Sequence, residues 1–126
     1  MEMISENPID PAAMYELVAK KSSGSVVFHY AVVKEQLSQD KATSGIEYHT
    51  AGDTVAELRE IAAELKDKWK LEDVLLVRRI GSLRVGDIIS LIAASSPNSE
   101  DAFASCRHGI SRMKKMATIR KNEMYG

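Results

Sequence analysis

The stretch DVLLVRRIGSLRVGDIISLIAAS, residues 73–95, constrains the fold more than any other part of the chain. Its two apolar runs, DVLLVRRIG and IISLIAAS, each have the length of a strand. Between them stands only SLRVGD, a short connection with Gly86-Asp87 as its turn residues. A link that short does not carry the crossover a parallel pair requires, so the two strands are expected to lie antiparallel. IISLIAAS is the more apolar of the two and takes a central place in the sheet.

The rest of the chain alternates around this pair. Asp10-Pro11 opens a helix over PAAMYELVAKK that buries Met14, Leu17 and Val18. Gly24 follows a Ser pair, and SVVFHYAVV is β-branched and aromatic, a strand. KEQLSQDKATSG is polar and reads as a loop or mobile hairpin tip, and IEYHT as a short strand. Asp53 or Thr54 caps a helix running to about Trp69, with Val55, Leu58, Ala62, Leu65 and Trp69 on one face. Thr54 and Glu57 fit a capping box. Pro97-Asn98-Ser99 opens the last helix, with Glu100 and Asp101 in its first turn. Ala102, Phe103, Cys106, Ile110 and Met113 form that helix's apolar stripe. The order helix, two strands, helix, two or three strands, helix is that of an α+β fold, an antiparallel sheet with three main helices. With 126 residues, no repeat and no linker, residues 1–126 read as a single domain.

Several functions are set aside by residue usage. A single cysteine, Cys106, makes neither an internal disulfide nor a cysteine-based zinc site, and on an apolar stripe it reads as inert core. His29 and His49 fall in expected strands where they could be neighbours, but no third ligand accompanies them, so no metal is expected. The glycines form no phosphate loop. MEMISENPID lacks the basic and apolar regions of a signal peptide, and no apolar run approaches the ~18 residues of a spanning helix. A cytoplasmic protein without a membrane role is expected. A net charge of −1 argues against a general polyanion binder, and no aromatic platform accompanies the basic end, so no nucleic acid is expected.

That basic end is the chemical feature of interest. From Arg107 to Lys121 there are six Lys or Arg residues and no Asp or Glu. Arg107, Lys114 and Lys121 are spaced by seven and would share one face if the last helix continued. Such a face binds phosphate or carboxylate, yet cations at a helix C-terminus also simply complement the dipole, which spacing alone favours. The arginines of RRIGSLRVGD, taken alone, read as a solvated rim.

Read together, several stretches resemble the large, catalytic subunit of molybdopterin synthase. VRRIGSLRVGD is similar to that family's V-H-R-I-G-x-L-x-x-G-D, the most distinctive match. ISENPIDPAAMYELV resembles the family's opening, GSVVFHYAVVKEQ a strand ending in G-x-V-R-N, and GIEYHTAG the L-E-Y-E-A-Y-P strand. AFASCRHGISRMKK resembles A-F-E-A-C-x-x-x-I-D-x-L-K, and RKNE stands at W-K-K-E. The resemblance is collinear over essentially the whole chain. It implies an α/β-hammerhead fold and a sulfurtransferase built on a homodimer. It also implies a partner, a small ubiquitin-like subunit whose C-terminal Gly-Gly thiocarboxylate delivers sulfur to cyclic pyranopterin monophosphate, with no cofactor needed. Two transfers form the dithiolene of molybdopterin.

By the same resemblance, Lys114 lies beside the partner's terminal glycine and assists transfer, while Lys121 binds the substrate, with Glu123 at a matching pocket position. Lys34 stands in place of the strand-end arginine, keeping charge but losing the bidentate fork. Ala31 replaces the family glycine. Asn98 and Ser99 occupy the positions of a His-Arg pair in the substrate site, and Thr118-Ile119-Arg120 those of Pro-x-Trp. Retention of Lys114 and Lys121 implies an active enzyme. The missing pair leaves the alternative of a catalytically degenerate paralogue that keeps the dimer and the partner.

Overall fold

A computed structural model describes residues 1–38 and 41–125. Its elements run β1 (Glu2–Ser5), a 3-10 turn (Pro11–Ala13), α1 (Tyr15–Val18), β2 (Ser25–Val32), β3 (Leu37–Ser38), β4 (Lys41–Thr50), α2 (Thr54–Lys68), β5 (Asp73–Arg79), β6 (Gly81–Arg84), β7 (Ile88–Ser96), α3 (Ser99–Lys114) and β8 (Ile119–Tyr125). The main sheet has the order β1-β5-β7-β2. The β5–β7 and β7–β2 pairs are antiparallel as expected, and IISLIAAS is indeed central. The β1–β5 pair is parallel, so the sheet is mixed rather than purely antiparallel.

Both faces of β5 are covered, which explains its continuous apolar run. Val74 and Leu76 face α2 and α3 in a core with Leu58, Ile61, Leu65, Ile92 and Cys106. Leu75 and Val77 face the opposite side, against Val18, Leu91 and Ile9. The α2 stripe appears where expected, except that Ile61 is buried and Val55 is only half-buried. The α3 stripe is rotated from expectation. Phe103 is 60% exposed, while Ser105 and Gly109 are buried. Gly109 sits so close to the core that a Cβ would lie 3.2 Å from Leu65 Cδ1, which phases the helix more strongly than the phenyl group does.

The expected N-terminal helix is shortened to the 3-10 turn and the single turn of α1. Asp10 does cap it, accepting from Ala12 N–H. Ala19 is already extended, because the Lys-Lys-Ser-Ser run beyond offers no apolar stripe to continue. The α2 cap is Asp53, which accepts from Ala56 N–H, and Glu57 does not close a capping box.

A second sheet, β3-β4-β6 with β8 paired to β4, closes over one end of the first. Here the polar stretch after β2 belongs mostly to strands, and SLRVGD is partly strand β6. The ladder on both sides of β4 satisfies its backbone, so polar side chains are tolerated. The expected hairpin tip falls at residues 39–40, outside the described residues. Gly45 is needed where β4 meets β6, since a Cβ there would collide with the Leu83 carbonyl oxygen. A Gly45→Ala protein is expected to lose about 2–3 kcal/mol in denaturant unfolding. An unchanged midpoint would mean the two strands do not approach this closely.

Candidate active site

Where the second sheet meets the first lies a cavity of about 700 Å³. The two-residue period of strands builds it. On β8, Ile119, Lys121 and Glu123 share the inward face, with Lys121 in register with Tyr48 and Glu123 with Ile46 on β4. From the main sheet, Ala31, Ser90 and Arg78 form one cross-strand row at its wall, and His29 borders it. Lys114 enters from the last residue of α3, and Lys34 from just beyond β2. The cavity therefore gathers Lys34, Arg78, Lys114 and Lys121 against one carboxylate, Glu123. None of these four cations forms an ion pair among the described residues. The Glu123 carboxylate accepts from the Tyr125 hydroxyl at 2.9 Å. Several unpaired cations on a concave wall favour an anionic ligand.

Each lysine is held by its neighbours. Val33, 1% exposed, precedes Lys34; its N–H donates to Asp87 O at 3.0 Å, and its carbonyl accepts from Gly86 N–H at 2.7 Å. Met113 and Met116 are buried on either side of Lys114. Between Lys114 and Lys121 the chain turns, and Glu57 of α2 clamps that turn. Its carboxylate accepts from Ala117 N–H at 2.8 Å, Thr118 N–H at 3.0 Å and Thr118 Oγ1 at 2.6 Å. The Thr118 carbonyl in turn accepts from Ala51 N–H at 2.7 Å and Thr54 Oγ1 at 3.2 Å. Burial opposes the charge of Glu57, but these hydrogen bonds outweigh it and hold its carboxyl below the usual range.

Of the residues singled out from sequence, Lys34, Lys114, Lys121 and Glu123 converge on this cavity. Asn98 and Ser99 do not. Asn98 caps α3 at its other end, accepting from Asp101 N–H at 2.9 Å; at 1.5 Å per residue, that is roughly 24 Å of helix from Lys114. The shared helical face of Arg107, Lys114 and Lys121 is also corrected. The helix stops at Lys114, Lys121 arrives on a strand, and Arg107 lies outside the cavity. The solvated rim is corrected for two of its three arginines: Arg84 is exposed, but Arg78 and Arg79 are each 8% exposed. Successive β5 residues face opposite ways, so Arg78 borders the cavity while Arg79 Nη1 reaches Asp87 Oδ2 at 3.5 Å. Both arginines stand at the end of β5, whose sequence DVLLVRR carries no local sign that they are buried. His29 and His49 line different concavities. No cluster of three or more metal-ligating side chains occurs among the described residues. Cys106 is core, its thiol pushed up to about 11 by burial. No helix among the described residues is long and apolar enough to cross a membrane.

Comparison with known proteins places the chain in a family. The family model described as MoaE protein matches residues 4–116, a span that includes α3 and Lys114 and stops before β8. The molybdopterin synthase catalytic subunit of Staphylococcus aureus (strain COL) is 34% identical over 98% of this chain and 83% of its own length. The crystal structure of molybdopterin synthase from Staphylococcus aureus superposes with a TM-score of 0.91 at 31% identity, covering 98% of this chain and 90% of that one. A protein–protein complex of subunits 1 and 2 of the Helicobacter pylori molybdopterin-converting factor contains a chain of the same fold, with a TM-score of 0.79 at 15% identity over 98% of this chain and 84% of that one. A family match over most of the chain, together with a relative of this identity and coverage, means that the chain belongs to the MoaE protein family.

Proposed function

We propose that this protein is the catalytic subunit of a molybdopterin synthase and that sulfur transfer runs in the cavity lined by Lys34, Arg78, Lys114 and Lys121. The observation that carries the reading is the convergence of Lys114 and Lys121, from a helix end and a separate strand, on one cavity. The family's reaction brings two anions together, the phosphate of cyclic pyranopterin monophosphate and the thiocarboxylate at a Gly-Gly tail. Cations already in place stabilise such charges without reorganising as the reaction proceeds. Lys114 sits beside the tail's terminal glycine and assists sulfur transfer. Lys121 holds the pterin phosphate, with Glu123 beside it and Lys34 at the rim.

The partner is a small ubiquitin-like subunit, in keeping with the two-subunit complex in which the Helicobacter pylori protein of like fold was solved. The chain works as a cytoplasmic homodimer carrying one such partner per protomer. In this reading Asn98 and Ser99 belong to the substrate site only if a second copy of the chain brings them there.

Carbodiimide coupling with a small subunit ending in a free Gly-Gly carboxylate tests the tail's position. The expected result is an amide between that carboxyl and Lys114 or Lys121, located by mass spectrometry. Coupling confined to lysines remote from the cavity, such as Lys20 or Lys66, would contradict the assignment.

A further inference from the structure

Arg78 is the most deeply set cation of the cavity. It is 8% exposed, whereas Lys34, Lys114 and Lys121 stand exposed at the rim. A buried charge is normally paired and hydrogen-bonded. Arg79, equally buried and with its Nε likewise lacking an acceptor, is paired through Nη1 with Asp87. Arg78 has no carboxylate partner among the described residues, and its Nε has no hydrogen-bond acceptor there. Its contact is with Tyr48, whose ring centroid lies 4.4 Å from the guanidinium carbon. That contact attracts a cation but does not neutralise it. Burial works against the charged form, and the charge and hydrogen-bonding contribution of the Tyr48 side chain offsets it only in part.

The space beside Arg78 is also shaped for a ligand. Its cross-strand neighbour is Ser90, and the neighbour of Ser90 is Ala31. Two small side chains in that row leave the cavity open next to the guanidinium. Arg78 is the one guanidinium among the lining residues, in a chain with lysine at position 34.

We propose that Arg78 is the oxyanion-binding residue of the cavity floor, its planar fork taking either a phosphate or the terminal carboxylate of a peptide tail. The identity of these two anions rests on the sulfur-transfer reading. The binding itself does not.

The test is titration of the wild-type protein with inorganic phosphate and, separately, with a peptide ending in a free Gly-Gly carboxylate, following the Arg78 Nε–H resonance by NMR. The resonance is expected to shift and saturate in at least one arm. A shift with phosphate identifies the substrate side, and a shift with the peptide identifies the tail. Arg78→Gln is expected to weaken that binding by about tenfold or more, and Arg78→Lys by less, since charge stays and the fork is lost. An Nε resonance unmoved by both probes overturns the proposal, as does an Arg78→Lys protein that binds both as tightly as wild type. Should Arg78→Gln not fold, the wild-type titration and Arg78→Lys still decide. No turnover is involved, so the two readings fail separately. A protein that binds phosphate at Arg78 yet makes no molybdopterin keeps the anion site and loses the catalytic reading. One that makes product with Arg78 silent does the reverse.

Discussion

Replacing Lys114 by alanine is expected to slow molybdopterin formation by about a hundredfold or more while leaving the melting temperature unchanged. Removal of one preorganised charge from a site of this kind typically costs ~100–1,000-fold in rate. The fold does not depend on this side chain. Lys114 is exposed at the last residue of α3, and the neighbouring core contacts belong to Met113 and Met116. Rates measured beside thermal unfolding separate the two effects. A Lys114→Ala protein as active as wild type would contradict the role assigned to that residue, and one that melts early would show the lysine to be structural.

The second large effect is expected at Glu57, which lies outside the cavity. Glu57→Ala leaves two backbone N–H groups and the Thr118 hydroxyl without their acceptor. With hydrogen bonds to a charged group, partly exposed here, the loss should be about 2–3 kcal/mol, or roughly 10 °C in Tm. The turn it clamps sets Lys121 relative to Lys114, so activity should fall further than the unfolded fraction accounts for. Glu57→Gln, which keeps an acceptor oxygen, should restore part of both.

The carboxyl is held below its ordinary value of 4.5, so its contribution is fully present above that pH and is lost as pH falls through the lowered folded value. The stability gap between wild type and Glu57→Gln should therefore narrow in acid below about pH 4.5. A gap independent of pH, or a Glu57→Ala protein with wild-type stability and rate, would contradict the clamp.

Local signals in the sequence carried α2, the start of α3 and the central strands. The stripe of α2, the cap at Asn98 and the apolar runs of β5 and β7 are decided within a few residues of themselves. What was not legible depends on partners distant along the chain. β8 is a polar stretch that becomes a strand because β4 offers it a ladder 69 to 82 residues away in sequence. Glu57 matched a local capping box, yet its donors lie 60 and 61 residues on. Phe103 matched the α3 stripe, but the close approach of Gly109 to Leu65 and Ile92 turns it to solvent.

For the site, seven-residue spacing joined Lys114 to Lys121 for the wrong reason. The helix ends between them, and a turn and a strand bring Lys121 back to the same cavity. The buried Arg78 was read as rim because charge in a strand says nothing about burial until the covering sheet is known. The collinear motifs identified the four residues that do converge, and they identified Asn98 and Ser99, which lie at the far end of α3.

The most direct measurement is reconstitution of the purified chain with a thiocarboxylated small subunit and cyclic pyranopterin monophosphate, with the pterin product identified by mass spectrometry. An intact family member that retains the His-Arg pair runs in parallel. The account predicts molybdopterin carrying two sulfur atoms, formed by this chain and lost with Lys114→Ala. Failure to form it while the parallel enzyme succeeds would contradict the account, leaving a chain with the MoaE fold and its cationic cavity but without the catalysis.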